Sequence, residues 1–174
     1  MHQIKYTGRI IEVVEEKHGN KTFEFARRSP GVRALIIDGN KMLLSKEFRV
    51  EINGYDYRLP GGKVFDTLEE YRKHLGEDLV EFAKRAVEAE VSQEVGLKIK
   101  NPNLIKVSKA GATIIWDLYF FEIMEFTKGK QHTEDGEDIT FDWYAFDEVK
   151  KFCRDNQIQE DRSVAVILNY LLKV

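Results

Sequence analysis

A Pro-Gly-Gly turn at residues 60–62 constrains the fold most, because it separates a strand-rich part of the chain from a helical part. Proline lacks a backbone N–H donor, and glycine reaches dihedral angles that are closed to other residues. The short apolar run Tyr55–Leu59 is therefore predicted to be a β-strand that ends at this turn. The longest helical pattern follows it and ends at Gly96, where a left-handed glycine typically closes a helix.

Turn-forming Gly and Asn residues divide the segment before Pro60 into apolar runs that predict two antiparallel hairpins. The paired runs are Gly8–Glu15 with Thr22–Arg27 and Val32–Ile37 with Lys41–Ser45. Strands of this length need a third element to cover their apolar face. A sheet packed against helices is therefore expected.

Helices are predicted in the middle of the chain and at its C-terminal end. Thr67 is placed to cap a short helix that reaches Leu75, and a longer helix is expected over Glu77–Val95. The last third is predicted to contain strands at Leu104–Lys109, Ala112–Phe126 and Thr140–Phe146, a helix from Asp147 to Asp155, and a helix over Arg162–Leu172. This pattern predicts an α+β fold, and a length of 174 residues suits one domain, 1–174, with one core.

Charge and composition exclude several classes of partner. The chain has 27 basic and 30 acidic residues, which gives no electrostatic reason to expect a nucleic-acid polymer or an anionic membrane. Cys153 is the single cysteine, so no internal disulfide is possible and a reducing compartment is expected. No signal-like N-terminal run and no apolar stretch of about 18 residues is present. We therefore expect a cytoplasmic protein with a small-molecule partner.

Two glutamates near the end of the long helix are the strongest candidates for chemistry. Glu90 and Glu94 are four residues apart and share one helix face, with Gln93 beside them. Glutamates at this spacing are most often a solvated face. Their position after Gly61 and Gly62, whose backbone can approach a metal or a phosphate closely, favours a site for Mg2+ or Mn2+, which bind oxygen ligands.

The segment Ala89-Glu90-Val91-Ser92-Gln93-Glu94-Val95-Gly96-Leu97, preceded by Gly61-Gly62, resembles the signature of the Nudix hydrolases. The resemblance implies an α/β/α sandwich with a central mixed sheet and an N-terminal antiparallel hairpin. It also implies a metal-dependent hydrolase that cleaves the diphosphate linkage of a nucleoside diphosphate derivative. Its metal ligands would be Glu90, Gln93, Glu94 and the Gly62 carbonyl, with Glu90 and Glu94 essential for catalysis.

The signature is altered in three places. Ala89 stands where the family has an arginine that braces the loop, and Gln93 stands where a glutamate ligand is usual. The stretch between Gly62 and Glu90 is longer than the family pattern. These changes motivate an alternative function, a nucleotide-binding module with weak or no hydrolysis. A third alternative is a hydrolase of damaged nucleoside triphosphates, which would release inorganic pyrophosphate.

Other segments resemble the ADP-ribose pyrophosphatase and nucleotide-sugar branch of this family. Gly8–Val13 resembles its N-terminal strand, which implies a homodimer in which residues 1–30 pack across the interface. Lys46-Glu47-Phe48-Arg49 resembles a strand whose arginine binds phosphate. Substrate binding is thus expected at Arg49, Arg58, Gly61 and Gly62, although Arg58 occupies a position that is normally acidic.

An acidic segment that precedes the last predicted strand completes this resemblance. Glu134-Asp135-Gly136-Glu137-Asp138-Ile139 is similar to a loop that supplies a catalytic carboxylate in the same branch. The candidates for this role are Glu134, Asp135 and Glu137. By composition alone, the segment is a solvated acidic loop.

Two tryptophans, Trp116 and Trp143, lie in predicted strands. Large aromatic side chains in such patterns belong to the core more often than to a surface that stacks on a base. We therefore expect both of them to pack in the core.

Overall fold

The computed structural model describes residues 3–132 and 139–174. These residues form eleven strands and four helices. The strands are β1 (Gln3–Thr7), β2 (Glu12–His18), β3 (Lys21–Arg27), β4 (Gly31–Asp38), β5 (Lys41–Arg49), β6 (Gly54–Arg58), β7 (Leu97–Lys100), β8 (Asn103–Gly111), β9 (Ile114–Ile123), β10 (Glu125–Lys128) and β11 (Ile139–Ala145). The helices are α1 (Leu68–Lys73), α2 (Val80–Val95), α3 (Phe146–Arg154) and α4 (Asp161–Leu171).

Nine of the described strands form one mixed sheet in the order β1-β2-β3-β9-β4-β5-β11. Strand β6 pairs with β5, and β8 pairs with β9. Strand β9 runs parallel to β3 and β4, and the other pairs are antiparallel. Both predicted hairpins, β2–β3 and β4–β5, are confirmed.

Helices cover the two faces of this sheet. Alternate residues of a strand point to opposite faces, so β9 supplies both layers of the core. Tyr119 and Phe121 pack with the buried stripe of α2, whereas Leu118 and Phe120 pack with α3 and α4. The predicted α/β/α sandwich is therefore confirmed.

Some element boundaries differ from those predicted. Helix α2 begins at Val80 rather than Glu77, and the carboxylate of Asp78 accepts a hydrogen bond from the Val80 N–H. Helix α3 begins at Phe146, one residue before the expected cap Asp147. Helix ends depend on local capping competition that a periodic pattern does not resolve.

Two short strands were not anticipated, and one predicted strand is divided. The predicted strand Ala112–Phe126 forms β9 and β10, because β10 leaves the large sheet and pairs with β7. Strands β1 and β7 carry too few apolar residues to give a pattern. Among the described residues, no helix has the length and apolar character needed to cross a bilayer.

The Pro-Gly-Gly turn continues along strand β4 after β6 has ended. The N–H groups of Ala34 and Val32 donate to the carbonyls of Pro60 and Gly62, at 2.8 and 3.0 Å. Gly61 has a φ of 148°, and a β-carbon at this residue would lie 2.1 Å from the Val32 oxygen. Glycine is therefore required for the turn to lie this close to β4.

Candidate metal and substrate site

Helix α2 brings Glu90 and Glu94 against the glycine turn. The Gly61 N–H donates to Glu94 Oε2 at 2.9 Å, and the Lys63 N–H donates to Glu90 Oε1 at 3.2 Å. A β-carbon at Gly62 would lie 1.9 Å from Glu90 Oε1. The structure thus brings together Gly61, Gly62, Glu90 and Glu94, and a side chain at Gly62 would displace the Glu90 carboxylate from its present position.

Glu94 is a buried carboxylate in an unfavourable electrostatic environment. Burial raises its pKa to about 8, and the neighbouring charges of Glu90 and Glu47 add to this effect. The Gly61 N–H and the Arg33 charge oppose the shift without cancelling it. A cation beside Glu94 would stabilise its charged form.

The oxygen donors at this end of α2 fit a hard divalent cation. Glu90 and Glu94 offer carboxylates, and the Gln93 amide lies beside them on the same cavity wall. Mg2+ commonly uses one or two carboxylates together with water and substrate phosphates, so this set is sufficient. Among residues 3–132 and 139–174, no group of three or more His, Cys, Asp or Glu side chains is arranged to hold a metal. The further oxygen that this face of α2 could offer beside the two carboxylates is the uncharged amide of Gln93.

A cavity of about 640 Å³ extends from these carboxylates across the glycine turn. This volume is in the range of small-molecule sites. Its lining also contains five cationic residues, Arg28, Arg33, Arg49, Arg58 and Lys63, together with the acidic residues Glu47 and Asp66. A cavity that holds both carboxylates and guanidinium groups suits a metal-bound anion.

The predicted phosphate ligand Arg49 is already paired with carboxylates. Its guanidinium lies 2.9 Å from Glu47 and 2.7 Å from Glu51. Glu47 and Arg49 are alternate residues of β5 and share a face of the strand, whereas Glu51 lies in the turn that follows. Arg49 therefore has less capacity for a substrate phosphate than the resemblance implied.

Arg28 was not singled out from the sequence, yet it lines the same cavity. Its guanidinium lies 4.4 Å from the ring centroid of Trp116, a cation–π distance. Within the described part of the chain, no carboxylate forms an ion pair with it. Burial lowers its pKa, and the charges of Arg33 and Arg162 lower it further.

The two tryptophans have different surroundings. Trp143 packs against the core and stacks with Phe126 at 5.5 Å between ring centroids, as expected. Trp116 also packs against the core, but in addition it lines the cavity beside Arg28. A strand pattern alone does not indicate that a core side chain also borders a cavity.

Glu134, Asp135 and Glu137 lie outside the described residues. The described residues that flank them are held at the site. The His132 N–H donates to the Gln93 carbonyl at 3.0 Å, and Ile139 pairs with Glu47, which lines the cavity.

No protein-family model matches the chain, and no curated protein matches its sequence. Solved structures do match. An ADP compounds hydrolase is 16% identical, with 99% of this chain and 92% of that chain aligned and a TM-score of 0.67. A MutT NUDIX hydrolase from Burkholderia pseudomallei is 24% identical, with 68% and 84% aligned and a TM-score of 0.51.

The chain has the Nudix hydrolase fold. The resemblance in the altered signature is thus supported by the whole tertiary structure, including the insertion that carries α1. Because a fold hosts many activities, the Nudix fold leaves the chemistry to be argued from the site.

Proposed function

We propose that the protein is a Mg2+- or Mn2+-dependent hydrolase of a nucleoside diphosphate derivative, such as ADP-ribose or a nucleotide sugar. The observation that carries this proposal is one cavity lined both by Glu90 and Glu94 and by several guanidinium groups. The similarity to an ADP compounds hydrolase over 99% of the chain supports it. The products would be a nucleoside monophosphate and a phosphorylated remainder.

Glu90, Glu94 and the Gln93 amide would hold the metal. The Gly62 carbonyl, which the resemblance implies as a further ligand, instead accepts from the Val32 N–H, and the Lys63 N–H of the same peptide unit points at Glu90. A bound divalent cation supplies positive charge where the diphosphate accumulates negative charge during cleavage. Hydrogen bonds from the turn fix the two carboxylates, so that they are aligned before the substrate enters.

Arg28 and Arg58 would bind the diphosphate, with Lys63 at the edge of the cavity. Arg58 lies 3.6 Å from Glu160 and 3.8 Å from Asp56, which is longer than a hydrogen bond. Arg49, which two glutamates already bind, would contribute charge more than direct hydrogen bonds. Glu134, Asp135 or Glu137 would orient or deprotonate the attacking water, since the residues flanking this segment are held at the cavity.

The proposed homodimer and cytoplasmic location stay predictions. Strand β1 is exposed along its whole length, and Tyr6 and Ile10 are 62% and 51% exposed. Apolar side chains on such an edge favour a partner chain, in agreement with the dimer implied for residues 1–30.

The test is Mg2+-dependent turnover of ADP-ribose, nucleotide sugars and nucleoside triphosphates, with the products identified by mass spectrometry. We expect a nucleoside monophosphate from a diphosphate substrate and loss of turnover in Glu90→Gln. The matched control is Glu88→Gln, an exposed glutamate of the same helix. Turnover of triphosphates alone, with release of pyrophosphate, would instead indicate a hydrolase of damaged nucleoside triphosphates.

A nucleotide-binding module with weak or no hydrolysis is the second candidate. The observation that favours it is the uncharged Gln93, which leaves the described metal site with two carboxylates. If the parent protein binds ADP and is inert, while Gln93→Glu gains Mg2+-dependent turnover, the module is the correct function. If the parent turns over substrate, the module is excluded.

A further inference from the structure

Glu160 lies next to the cavity although it is distant from the other site residues in sequence. It directly precedes α4, and its side chain is 12% exposed. Arg33 donates from Nε and Nη2 to its two carboxylate oxygens at 2.8 and 2.9 Å. The Ser163 hydroxyl also donates to the carboxylate. Glu160 is therefore held in one orientation by two side chains.

The second cation beside Glu160 is Arg58, which lines the cavity. Its Nη2 lies 3.6 Å from Glu160 Oε1, and its Nη1 lies 3.8 Å from Asp56 Oδ2. These contacts balance its charge but are too long for hydrogen bonds. The side chain of Arg58 is thus placed by carboxylates and keeps hydrogen-bonding capacity for another acceptor.

The loop before α4 is fastened to the same strand that carries Arg58. The Tyr57 N–H donates to the Gln157 carbonyl at 3.0 Å, and the Gln159 N–H donates to Asp56 Oδ1 at 2.8 Å. Strand β6 leads directly into the glycine turn above Glu94. Contacts between this loop and β6 therefore bear on the geometry of the cavity wall.

We propose that Glu160 is a positioning residue that holds the Arg58 guanidinium where the substrate diphosphate binds, with Arg33 fixing Glu160. This inference rests on the proposed function, because it names how one substrate ligand is aligned. Glu160 itself does not touch substrate. Its effect is exerted through Arg58.

Removal of the Glu160 charge would leave two neighbouring guanidinium groups in a largely buried place. Their mutual repulsion is already evident, since burial and then the Arg33 charge lower the pKa of Arg58. Arg58 would move away from Arg33 and lose its alignment with the diphosphate. The metal ligands Glu90 and Glu94 would be untouched, so substrate binding would suffer more than the chemical step.

The experiment compares Glu160→Gln with the parent and with Asp161→Asn, which removes an exposed charge in the first turn of α4. For ADP-ribose with Mg2+, we expect Glu160→Gln to raise KM about tenfold, which is the size of one charged hydrogen bond between Arg58 and the diphosphate, and to change kcat less than about threefold. Asp161→Asn should change neither. An unchanged KM, or a loss confined to kcat, would overturn the inference.

A double variant separates positioning from stability. Glu160 is inferred to act on the substrate only through Arg58, so in the background of Arg58→Met, which already has a raised KM, Glu160→Gln should raise KM no further. A further rise in KM would overturn the inference, because Glu160 would then act by another route.

Calorimetric measurement of ADP binding with Mg2+ distinguishes failure of the hydrolase proposal from failure of the Glu160 inference. A parent that binds ADP but hydrolyses nothing removes the hydrolase proposal, and weaker ADP binding by Glu160→Gln still supports the inference. A parent that hydrolyses ADP-ribose, with equal ADP affinity in both proteins, removes the inference alone.

Discussion

Two partly buried glutamates, Glu94 in the cavity lining and Glu160 beside the lining residues Arg33 and Arg58, have opposite electrostatic environments. Burial raises the pKa of Glu94 to about 8. Burial acts in the same direction on Glu160, but the guanidinium of Arg33 outweighs it and brings the pKa to about 2. Glu94 has a backbone N–H and other carboxylates around it, whereas Glu160 has two arginines and a serine hydroxyl.

This difference in pKa distinguishes a carboxylate that could bind a metal ion from a carboxylate that is already paired within the protein. A buried carboxylate without a cation costs free energy that a bound metal would recover. A carboxylate already paired with guanidinium groups has nothing to gain from a metal. The contrast therefore favours ligand binding for Glu94 and positioning for Glu160, which contacts the lining residues Arg33 and Arg58 without lining the cavity itself.

The largest expected effect is on activity when Glu94 is changed to Gln. Loss of a direct metal ligand should reduce Mg2+-dependent turnover by more than about a hundredfold, because losing even a residue that only hydrogen-bonds to a ligand can reduce activity by up to about that factor. Without metal, the free energy of unfolding should not fall, because the raised pKa of Glu94 makes its carboxyl destabilising at neutral pH and the amide removes that cost. Urea unfolding with and without Mg2+ checks this, and lower metal-free stability would contradict the contrast.

Glu160→Gln should instead lower the stability of the metal-free protein. The pKa of Glu160 is depressed from 4.5 to about 2, so its contribution to stability is complete above pH 4.5 and is lost as pH falls toward 2. That shift corresponds to about 3 kcal/mol.

The measurement is urea unfolding of the parent and the Glu160→Gln variant from pH 7 to pH 3. The difference in unfolding free energy should be constant at neutral pH and should shrink below pH 4.5. A difference that stays constant over the whole range would mean that the ion pair with Arg33 contributes no net stability.

Arg28 and Arg49 differ in a similar way, because only Arg49 is already paired with carboxylates. The expected effect of changing either arginine is smaller than the effects at Glu94 and Glu160. Arg28→Gln should raise KM for ADP-ribose about tenfold, since a charged hydrogen bond contributes about 1.5–3 kcal/mol. Arg49→Gln should raise it less, because Glu47 and Glu51 already bind that guanidinium. Steady-state kinetics of both variants measures the two changes in KM. A larger rise in KM for Arg49→Gln would contradict the proposal that Arg28 binds the diphosphate more directly than Arg49.

Local features of the site were predictable from the sequence. The spacing of Glu90 and Glu94 places them on one helix face, and the left-handed Gly96, with φ of 64°, closes that helix as expected. Thr67 caps α1 by accepting a hydrogen bond from the Glu70 N–H at 3.1 Å. These features depend on residues within one turn of each other, so periodicity and capping chemistry are sufficient to find them.

Tertiary structure decided which carboxylates pair with the arginines, except where the partner lies only two residues away in the sequence. Glu47 lies two residues before Arg49 in the same strand, so that pairing could be predicted from the sequence. Arg33 and Glu160 are 127 residues apart, and no local pattern joins them. Their contact requires the β4 register and the docking of α4 on the sheet.

The sequence by itself determined the α+β pattern, the glycine turn and the pair of glutamates one helix turn apart, because each depends on short-range backbone geometry. Only the tertiary structure decided that Gly61 and Lys63 donate to those glutamates, that Arg28 borders the cavity without a carboxylate partner among the described residues, and that Glu160 lies beside Arg58. Charge pairing in a buried site depends on which strands become neighbours. That choice is made by packing of the whole core rather than by any one segment.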